Sequence, residues 1–294
     1  MSAKHDLQHS IMNVTQHNRD GSYNTQVDRQ RILNQIAAEL TSGGYKLRHV
    51  NALKQKHVRY LNEQWQEKGL SSGTIKNRNA ALRWLCKKLN KRDLMPSNDA
   101  MGIERRVHVT NINKAIDLTD ELLSKISNPR VLVQLQLQRH FGLRREEAIK
   151  IQPHFADRGD HIFLQASWCK GGRSRTVPIS SKEARYWLDE AKKLAGTKQA
   201  SLIESDKTYK QAKEIYNKQL QRAGIHKAHG LRHQYAQEQY ELLSSISAPV
   251  AGGPKKSSLS QDQKLKSDEA RMEVSEALGH SRLNITSVYL GGNK

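Results

Sequence analysis

Apolar residues recur every three or four positions through most of the chain, and this pattern predicts a mainly helical protein. The first such segment starts at Gln26 and ends at the glycine pair 43–44, and the second covers 52–68. A third segment, LSSGTIKNRNAALRWLCKKLNK, begins with serines that suit a helix N-terminus and has one apolar face. These three segments predict an all-helical domain over residues 26–92.

Two other segments of the first half have the composition of irregular chain. Residues 1–25 are rich in His, Asn, Gln and Ser, so we expect a flexible N-terminal arm. The helical periodicity is lost over 93–116, which contains Pro96 and Gly102. We therefore predict an interdomain linker over 93–116.

The rest of the chain predicts helices around one small sheet. Thr119 is suited to cap a helix, and another helix is expected near 130–140. The stretch HIFLQASWCKGGRSRTVPIS predicts two short strands around a Gly-Gly turn, and further helices follow. Residues 245–267 are rich in Ser, Gly, Pro and Lys, which predicts a flexible insertion. The expected fold is mainly α with a small antiparallel β-sheet, and its second domain covers 117–294.

The charge of the chain narrows the class of partner. Lys and Arg number 49 against 29 Asp and Glu, which gives a net charge of +20 over 294 residues. The excess is +11 over residues 1–116 and +9 over 117–294, so both halves are basic. Such a balance favours a polyanion, and nucleic acid first. A membrane partner is less expected because the chain has no long apolar run and no signal-like start.

The two cysteines and the motif content give no sign of a cofactor. Cys86 and Cys169 are far apart without metal-ligand spacing, which is typical of reduced thiols in a reducing compartment such as the cytoplasm. The sequence has no CxxC, HExxH or GxxxxGK[ST] motif, so neither a metal nor a nucleotide cofactor is expected.

The polar face of the third predicted helix is basic. A single charged helix face is more often solvated than functional, but the overall charge favours contact with DNA here. The candidate DNA-binding residues on this helix are Lys76, Arg78, Arg83 and Lys87.

Tyr289 lies near the C-terminus, nine positions after His280. A tyrosine that attacks a phosphodiester needs cations for the non-bridging oxygens, a base for the phenol proton and an acid for the leaving oxygen. Four separated stretches supply these groups: FGLRREEAIKI with Arg144, WCKGGRSRTVPI with Lys170, AHGLRHQYA with His229 and Arg232, and LGHSRLNITSVY with His280 and Tyr289.

The four stretches, in this order and with this internal spacing, resemble the tyrosine recombinase (phage integrase) family over roughly residues 26–290. The segment 26–90 is similar to the SAM-like core-binding domain of that family. The resemblance implies a two-domain clamp around DNA, and the insertion favours an integrase of a bacterial mobile element.

The resemblance also implies the role of each residue. Tyr289 would attack the scissile phosphate and form a covalent 3′-phosphotyrosine. Arg144 and Arg232 would clamp the non-bridging oxygens, and His280 would donate a hydrogen bond to the same phosphate. The implied general base is His229 and the implied general acid is Lys170. Supporting roles are expected for Glu147 and His233, and phosphate contacts or plain surface positions for Arg145, Arg173, Arg175 and Arg282.

The implied activity is site-specific DNA recombination without metal or ATP. Protomers would bind an inverted-repeat core site, assemble as a homotetramer and exchange strands through a Holliday junction. An accessory directionality or DNA-bending protein would be a further partner, and the location would be the bacterial nucleoid. Only five residues follow Tyr289, so coupling between subunits would use the insertion or the tyrosine helix.

Two other interpretations stay open at this point. A type IB topoisomerase would run the same chemistry as a monomer, but the core-binding segment and His280 favour a recombinase. A DNA-binding regulator that keeps the fold is a non-enzymatic alternative. The complete set of candidate catalytic residues argues against it.

Overall fold

The computed structural model describes residues 3–280 and 282–292. The chain divides into two units, Met1–Val107 and His108–Lys294. The boundary lies inside the segment that was predicted to be a linker. No helix within the described residues has both the length and the apolar character needed to cross a membrane.

The first unit is all-helical, as the sequence predicts. Its helices are α1 Ala3–His17, α2 Tyr23–Ser42, α3 Gln55–Glu67 and α4 Ser72–Lys88. The side chain of Ser71 accepts a hydrogen bond from the Thr74 N–H and so caps α4, as the serine-rich start of this segment predicts. Leu33, Leu61 and Leu82 come from three of these helices and are fully buried, so one apolar core joins them.

The prediction of a flexible N-terminal arm over residues 1–25 was wrong for residues 3–17. Leu7 and Ile11 of α1 are buried in the core of the first unit, and the Ser10 hydroxyl accepts a hydrogen bond from Val50 N at 3.2 Å. Because the apolar residues of this segment are few and dispersed among polar ones, composition hides their helical spacing. Two buried apolar side chains are enough to order the helix once α2 is present to cover them.

The predicted linker over 93–116 is also more ordered than expected. Ile103 is buried in the core of the first unit, and Arg106 donates a hydrogen bond to Asn77 Oδ1 at 3.0 Å. Ile116 packs instead against a core cluster of the second unit. Most of this segment therefore belongs to one unit or the other.

The second unit surrounds a two-stranded hairpin with helices. The antiparallel strands pair His161 with Pro178 and Leu164 with Arg175, which confirms the predicted small sheet. The elements are α5 Asp120–Ser124, α6 Pro129–Phe141, α7 Arg145–Lys150, α8 Pro153–Ala156, β1 His161–Leu164, β2 Arg175–Pro178, α9 Lys182–Ala195, α10 Tyr209–Ala223, α11 Gly230–Ser244, α12 Gln261–Ala277 and α13 Ser287–Leu290.

Helix α6 lies between two apolar clusters of this unit. Leu137 and Phe141 face the larger cluster, and Val131 and Leu135 face the smaller one. A helix that is apolar on two faces is held on both sides, so its C-terminal end has a fixed position.

The predicted flexible insertion over 245–267 is partly regular. Helix α12 starts at Gln261, and Ala248 and Leu259 are buried before it. The helix starts there because Ser260 and Gln263 form a capping box, a local signal that the composition of the segment conceals. Burial of four residues of this stretch, including Ile246 and Ser267, ties it to the core of the second unit.

Candidate active site

The first site segment depends on a glycine at the end of α6. Gly142 has φ +58°, and a Cβ at this position would lie 2.4 Å from Tyr235 Cδ1. Only glycine fits a left-handed turn under an aromatic ring, so α6 ends here and the chain reverses. The turn places Arg144 at the N-cap of α7, beside the buried core.

Glu147 is fully buried and holds Arg144. The Glu147 carboxylate accepts a hydrogen bond from the Arg144 backbone N–H at 2.7 Å and another from Arg144 Nη1 at 2.8 Å. Burial alone would raise the pKa of Glu147, but hydrogen bonds and charge from Arg175, with the charges of Arg144 and Arg232, lower it to about 2. Glu147 is therefore an anion at neutral pH, which suits the predicted supporting role and not proton transfer.

Arg175 lies inside the protein, which corrects the prediction that it contacts phosphate or lies on the surface. Its Nη1 and Nη2 donate to the two oxygens of Glu147 at 2.9 and 2.7 Å, and its Nε donates to the Ala277 carbonyl at 2.8 Å. The charge of this guanidinium is therefore balanced inside the protein by a buried carboxylate.

Arg232 is the most buried cation of the site, with 1% of its surface exposed. It donates to the carbonyl oxygens of Gly142 and Leu278, and its Nε lies 3.4 Å from Tyr289 Oη. Burial and repulsion from Arg144 lower the pKa of Arg232 to about 10, so it stays charged at neutral pH. Leu278 O also accepts a hydrogen bond from Arg144 Nη2 at 3.2 Å, so one carbonyl holds both predicted clamp arginines.

Three histidines surround the Tyr289 ring. The ring centroids of His233, His280 and His229 lie 4.6, 5.4 and 6.1 Å from that of Tyr289. Tyr289 itself is 6% exposed and lies on the short helix α13. Residues from the start of α11, the end of α12 and α13 thus meet at one point.

Burial and nearby guanidinium groups keep these histidines neutral. Desolvation, with the charges of Arg232 and Arg144, lowers the pKa of His280 to about 3 and also lowers the pKa of His229. Desolvation and the charge of His229 lower the pKa of His233 to about 4. A neutral imidazole can accept a proton, whereas an imidazolium cannot.

His280 has an unused donor position. Its Nε2 lies 3.4 Å from Arg232 Nη2, so Nε2 accepts and Nδ1 carries the proton. Within the described residues this buried Nδ1 has no hydrogen-bond partner. Gly279, at φ +66°, brings the chain into this position, and a Cβ there would lie 2.8 Å from Arg175 Cδ.

Lys170 lies apart from the cluster. It occupies the exposed turn of the hairpin, where Gly172 N donates to the Cys169 carbonyl at 3.1 Å. Among the described residues, no hydrogen bond or ion pair joins Lys170 to the rest of the site. Gly171 and Gly172 both have left-handed φ values, +80° and +66°, so this turn has few conformational restraints of its own.

The remaining predicted DNA contacts fall into two groups. Arg78 donates to Glu39 Oε1 at 3.0 Å and Arg83 donates to Asn98 Oδ1 at 2.8 Å, so both are engaged inside the first unit, and their contacts with DNA stay predictions. Arg145 donates to Asn217 Oδ1 at 3.1 Å but stays exposed. The others retain accessible side chains, namely Lys76, Lys87, Arg173 and Arg282.

Sequence reasoning missed the backbone part of this site. The carbonyl oxygens of Gly142 and Leu278 accept hydrogen bonds from the site arginines. Neither residue was among the predicted site residues. Both belong to the quoted G-L-R and L-G-H stretches, so the motifs contained a signal for them. No group of His, Cys, Asp and Glu in the described parts of the chain is arranged to hold a metal ion.

Comparisons with known proteins identify the family of this chain. A family model described as "Phage integrase, N-terminal" matches residues 5–94, and a model described as "Integrase" matches residues 103–238. The chain belongs to the tyrosine recombinase family of phage integrases, and it is a site-specific recombinase of the tyrosine type. The first model begins within α1, as expected for a helix that is part of the domain. No curated protein is significantly similar in sequence.

Solved structures share the fold at low sequence identity. A lambda integrase dimer bound to a COC′ core site has a TM-score of 0.61 at 12% identity, and the match covers 98% of this chain and 77% of that one. The XerH recombinase in a post-cleavage complex with a palindromic difH substrate has a TM-score of 0.57 at 18% identity, and the match covers 96% of this chain and 80% of that one. The Tn1549 transposon integrase in complex with transposon right end DNA has a TM-score of 0.57 at 13% identity, and the match covers 100% of this chain and 96% of that one.

Proposed function

We propose that this recombinase breaks and rejoins a specific DNA duplex through a covalent 3′-phosphotyrosine on Tyr289. The observation that carries the proposal is the distance of 3.4 Å between Tyr289 Oη and Arg232 Nε within one chain. A phenol beside a buried guanidinium lies where a phosphate bound to that guanidinium would be attacked. The nucleophile would then come from the same protomer as the arginines.

Arg144 and Arg232 would stabilise the charge that develops on the non-bridging oxygens. Both are fixed by the Leu278 carbonyl before substrate binds, so little reorganisation is needed at the moment of reaction. The free Nδ1–H of His280 would add a third donor to the same phosphate. Fixed cations and donors do here what a metal ion does in many phosphoryl-transfer enzymes.

His229 would act as the general base for the phenol. The charges of Arg232 and Arg144, after burial, lower its pKa, so it is neutral and able to accept the proton at neutral pH. Lys170 would act as the general acid for the leaving 5′ oxygen. Its glycine-rich turn would carry it towards the DNA after binding, because the described contacts do not hold it elsewhere.

The bond energy of the cleaved phosphodiester is kept in the phosphotyrosine ester, so rejoining needs no ATP. Double-stranded DNA is the substrate that the net charge of +20 favours. A lambda integrase tetramer has been solved on a Holliday junction, which supports assembly of several protomers on DNA for this family member too. We infer a homotetramer on an inverted-repeat core site, with an accessory directionality or DNA-bending protein as a further partner to be tested.

Covalent capture in cells tests the proposal and finds the substrate. The wild-type protein and Tyr289→Phe are expressed side by side, the lysates are denatured, and protein-linked DNA is isolated and sequenced. We expect one short inverted-repeat site to be enriched with the wild type and absent with Tyr289→Phe. A covalent adduct that survives in Tyr289→Phe would overturn the choice of nucleophile, and the adduct peptide would identify the true one.

A further inference from the structure

Arg175 has no role in the proposed chemistry, yet each nitrogen of its guanidinium has a partner inside the protein. Two of its N–H donors bind both oxygens of Glu147, and a third binds the Ala277 carbonyl. A fourth contact places Nη1 3.4 Å from Cys169 Sγ. A buried guanidinium this fully paired has a defined position and orientation.

The partner of Arg175 is also the partner of Arg144. Each Glu147 oxygen accepts one hydrogen bond from Arg175 and one from Arg144, so the carboxylate is saturated by four donors. Arg144 uses two of its five N–H groups, on Glu147 and Leu278, which leaves three for a substrate. Because Glu147 also binds Arg175, it does not occupy the whole guanidinium of Arg144, and Arg144 keeps N–H groups for a substrate.

Without Arg175 this division of Glu147 between two arginines would fail. Each oxygen of a buried carboxylate would lose one of its two donors, and Arg144, whose Nη1 and backbone N–H already bind Glu147, is the nearest source of replacement donors. A closed, bidentate Arg144–Glu147 pair would turn the guanidinium away from the phosphate. The site would also lose one of three positive charges that face one negative charge.

We propose that Arg175 is a positioning residue for DNA cleavage, which shares Glu147 with Arg144 and so keeps Arg144 directed at the scissile phosphate. This role rests on the proposed function of Arg144. It differs from DNA binding, since Arg175 is buried and its donors are directed at Glu147 and the Ala277 carbonyl.

Arg175 also connects the three segments that carry the chemistry. It starts β2 of the hairpin whose turn holds Lys170, it binds α7 through Glu147, and it binds the end of α12 just before Gly279 and His280. Close contact with Gly279 fixes the third of these connections, because a Cβ there would lie 2.8 Å from Arg175 Cδ. A lysine cannot replace this contact set, since its point charge cannot bind a carboxylate bidentately and reach a carbonyl as well.

The test measures single-turnover formation of the covalent adduct on the duplex recovered by capture. A second duplex is identical except for a methylphosphonate at the scissile position, which removes the negative charge that Arg144 would bind. The variants are Arg175→Met, Arg175→Lys and the double variant Arg175→Met with Glu147→Gln. Thermal unfolding of each variant is recorded alongside the rates.

On the normal duplex we expect Arg175→Met to be about 100-fold slower than wild type, a loss typical of a displaced catalytic group. On the methylphosphonate duplex the two proteins should differ by only about threefold, because the charge contact no longer matters. Adding Glu147→Gln should restore at least about tenfold of the lost rate, since a neutral amide competes weakly for Arg144. Arg175→Lys should be about tenfold slower than wild type on the normal duplex. If Arg175→Met does not fold, the rates of Arg175→Lys on the two duplexes are compared instead.

Arg185→Met is the matched control. Arg185 also makes a 2.7 Å ion pair in the second unit, with Asp157, but lies on α9 away from the site. We expect lower thermal stability and adduct formation within about twofold of wild type. This variant separates loss of an ion pair from loss of a positioned arginine.

Two results would reject the role of Arg175. One is an equal rate loss on both duplexes, and the other is a folded Arg175→Met variant that reacts at the wild-type rate. Absence of any adduct with the wild-type protein is a different failure, because it would reject the proposed function itself together with this role.

Discussion

Two glutamate–arginine clusters in this protein have similar parts and different consequences. In the first unit, Glu39 accepts hydrogen bonds from Arg78 at 3.0 Å and from Trp65 Nε1 at 2.8 Å, and 22% of its side chain is exposed. In the second unit, Glu147 is fully buried and shared by Arg144 and Arg175. One carboxylate holds a helix interface, and the other holds a cation to which we assign the scissile phosphate in the proposed mechanism.

The difference teaches how a charged group becomes available for chemistry. Arg78 is the one cation paired with Glu39 among the described residues, and it lies 5.1 Å from the centre of the Trp65 ring, so one positive charge meets one negative charge. Arg144 shares its glutamate with a second arginine and keeps donors unused. An excess of guanidinium over carboxylate is costly in a folded protein, and a bound phosphate is what would balance it.

The largest difference in stability between the two clusters should appear when the glutamate of each is replaced. Glu147→Ala leaves Arg175 buried without a counter-ion and should cost about 3–5 kcal/mol in the free energy of unfolding. Glu39→Ala breaks a partly exposed pair and should cost about 1 kcal/mol in the same free energy. Denaturant unfolding, with hydrogen exchange to assign each loss to its unit, measures both. Equal costs would show that burial does not distinguish the clusters.

The next largest effect should be on the rate of adduct formation, which Arg144→Ala should lower and Arg78→Ala should not. Arg144→Ala is expected to lower the rate of adduct formation by about 1,000-fold, because a preorganised donor to the phosphate is lost. Arg78→Ala should lower the stability of the first unit by about 1 kcal/mol with the rate constant of the bound complex unchanged. Single-turnover cleavage at saturating enzyme gives both rates. A comparable rate loss in Arg78→Ala would contradict the structural role of its cluster.

Acid should weaken the second unit more than the first. The pKa values of His280 and His233 are lowered from 6.5 to about 3 and about 4, so the unfolded chain binds more protons than the folded one between these values and 6.5. Stability should therefore be full above pH 6.5 and fall below it, by at most about 1.4 kcal/mol per pH unit for each histidine.

The first unit provides the comparison for this pH effect, since there burial lowers the pKa of one histidine, His57. Hydrogen exchange at two pH values, near 7.5 and near 5.5, would report on each unit separately. His233→Gln should reduce the pH dependence of the second unit. Stability of the second unit that is independent of pH over this interval would show that the histidines are protonated in the folded state.

The smallest effect concerns the basic face of α4. Lys87 is exposed, whereas Arg78 is engaged with Glu39. Lys87→Ala should reduce the slope of log affinity against log salt by about 1 if this lysine contacts a phosphate, and Arg78→Ala should leave the slope unchanged. Binding isotherms on the captured duplex at several salt concentrations measure the slope. A reduced slope with Arg78→Ala alone would reverse the assignment of the two residues.

Local signals in the sequence predicted most of the fold. The starts of α4 and α5 were found because Ser71 and Thr119 act as caps through contacts three residues along the chain. The hairpin was found because alternating residues flank a glycine pair. Composition misled at α1 and at the start of α12, where few apolar residues and a capping box lie within polar sequence.

The sequence by itself determined the family, the order of the candidate catalytic residues and the spacing inside each motif. Only the tertiary structure decided which cations face inward. Arg175 meets Glu147 across 28 positions and Arg78 meets Glu39 across 39, whereas Lys87 meets no such partner within the described residues. The physical reason is that an arginine has the same local pattern whether solvent or a distant carboxylate receives its donors, and burial of that carboxylate depends on packing between elements far apart in the chain.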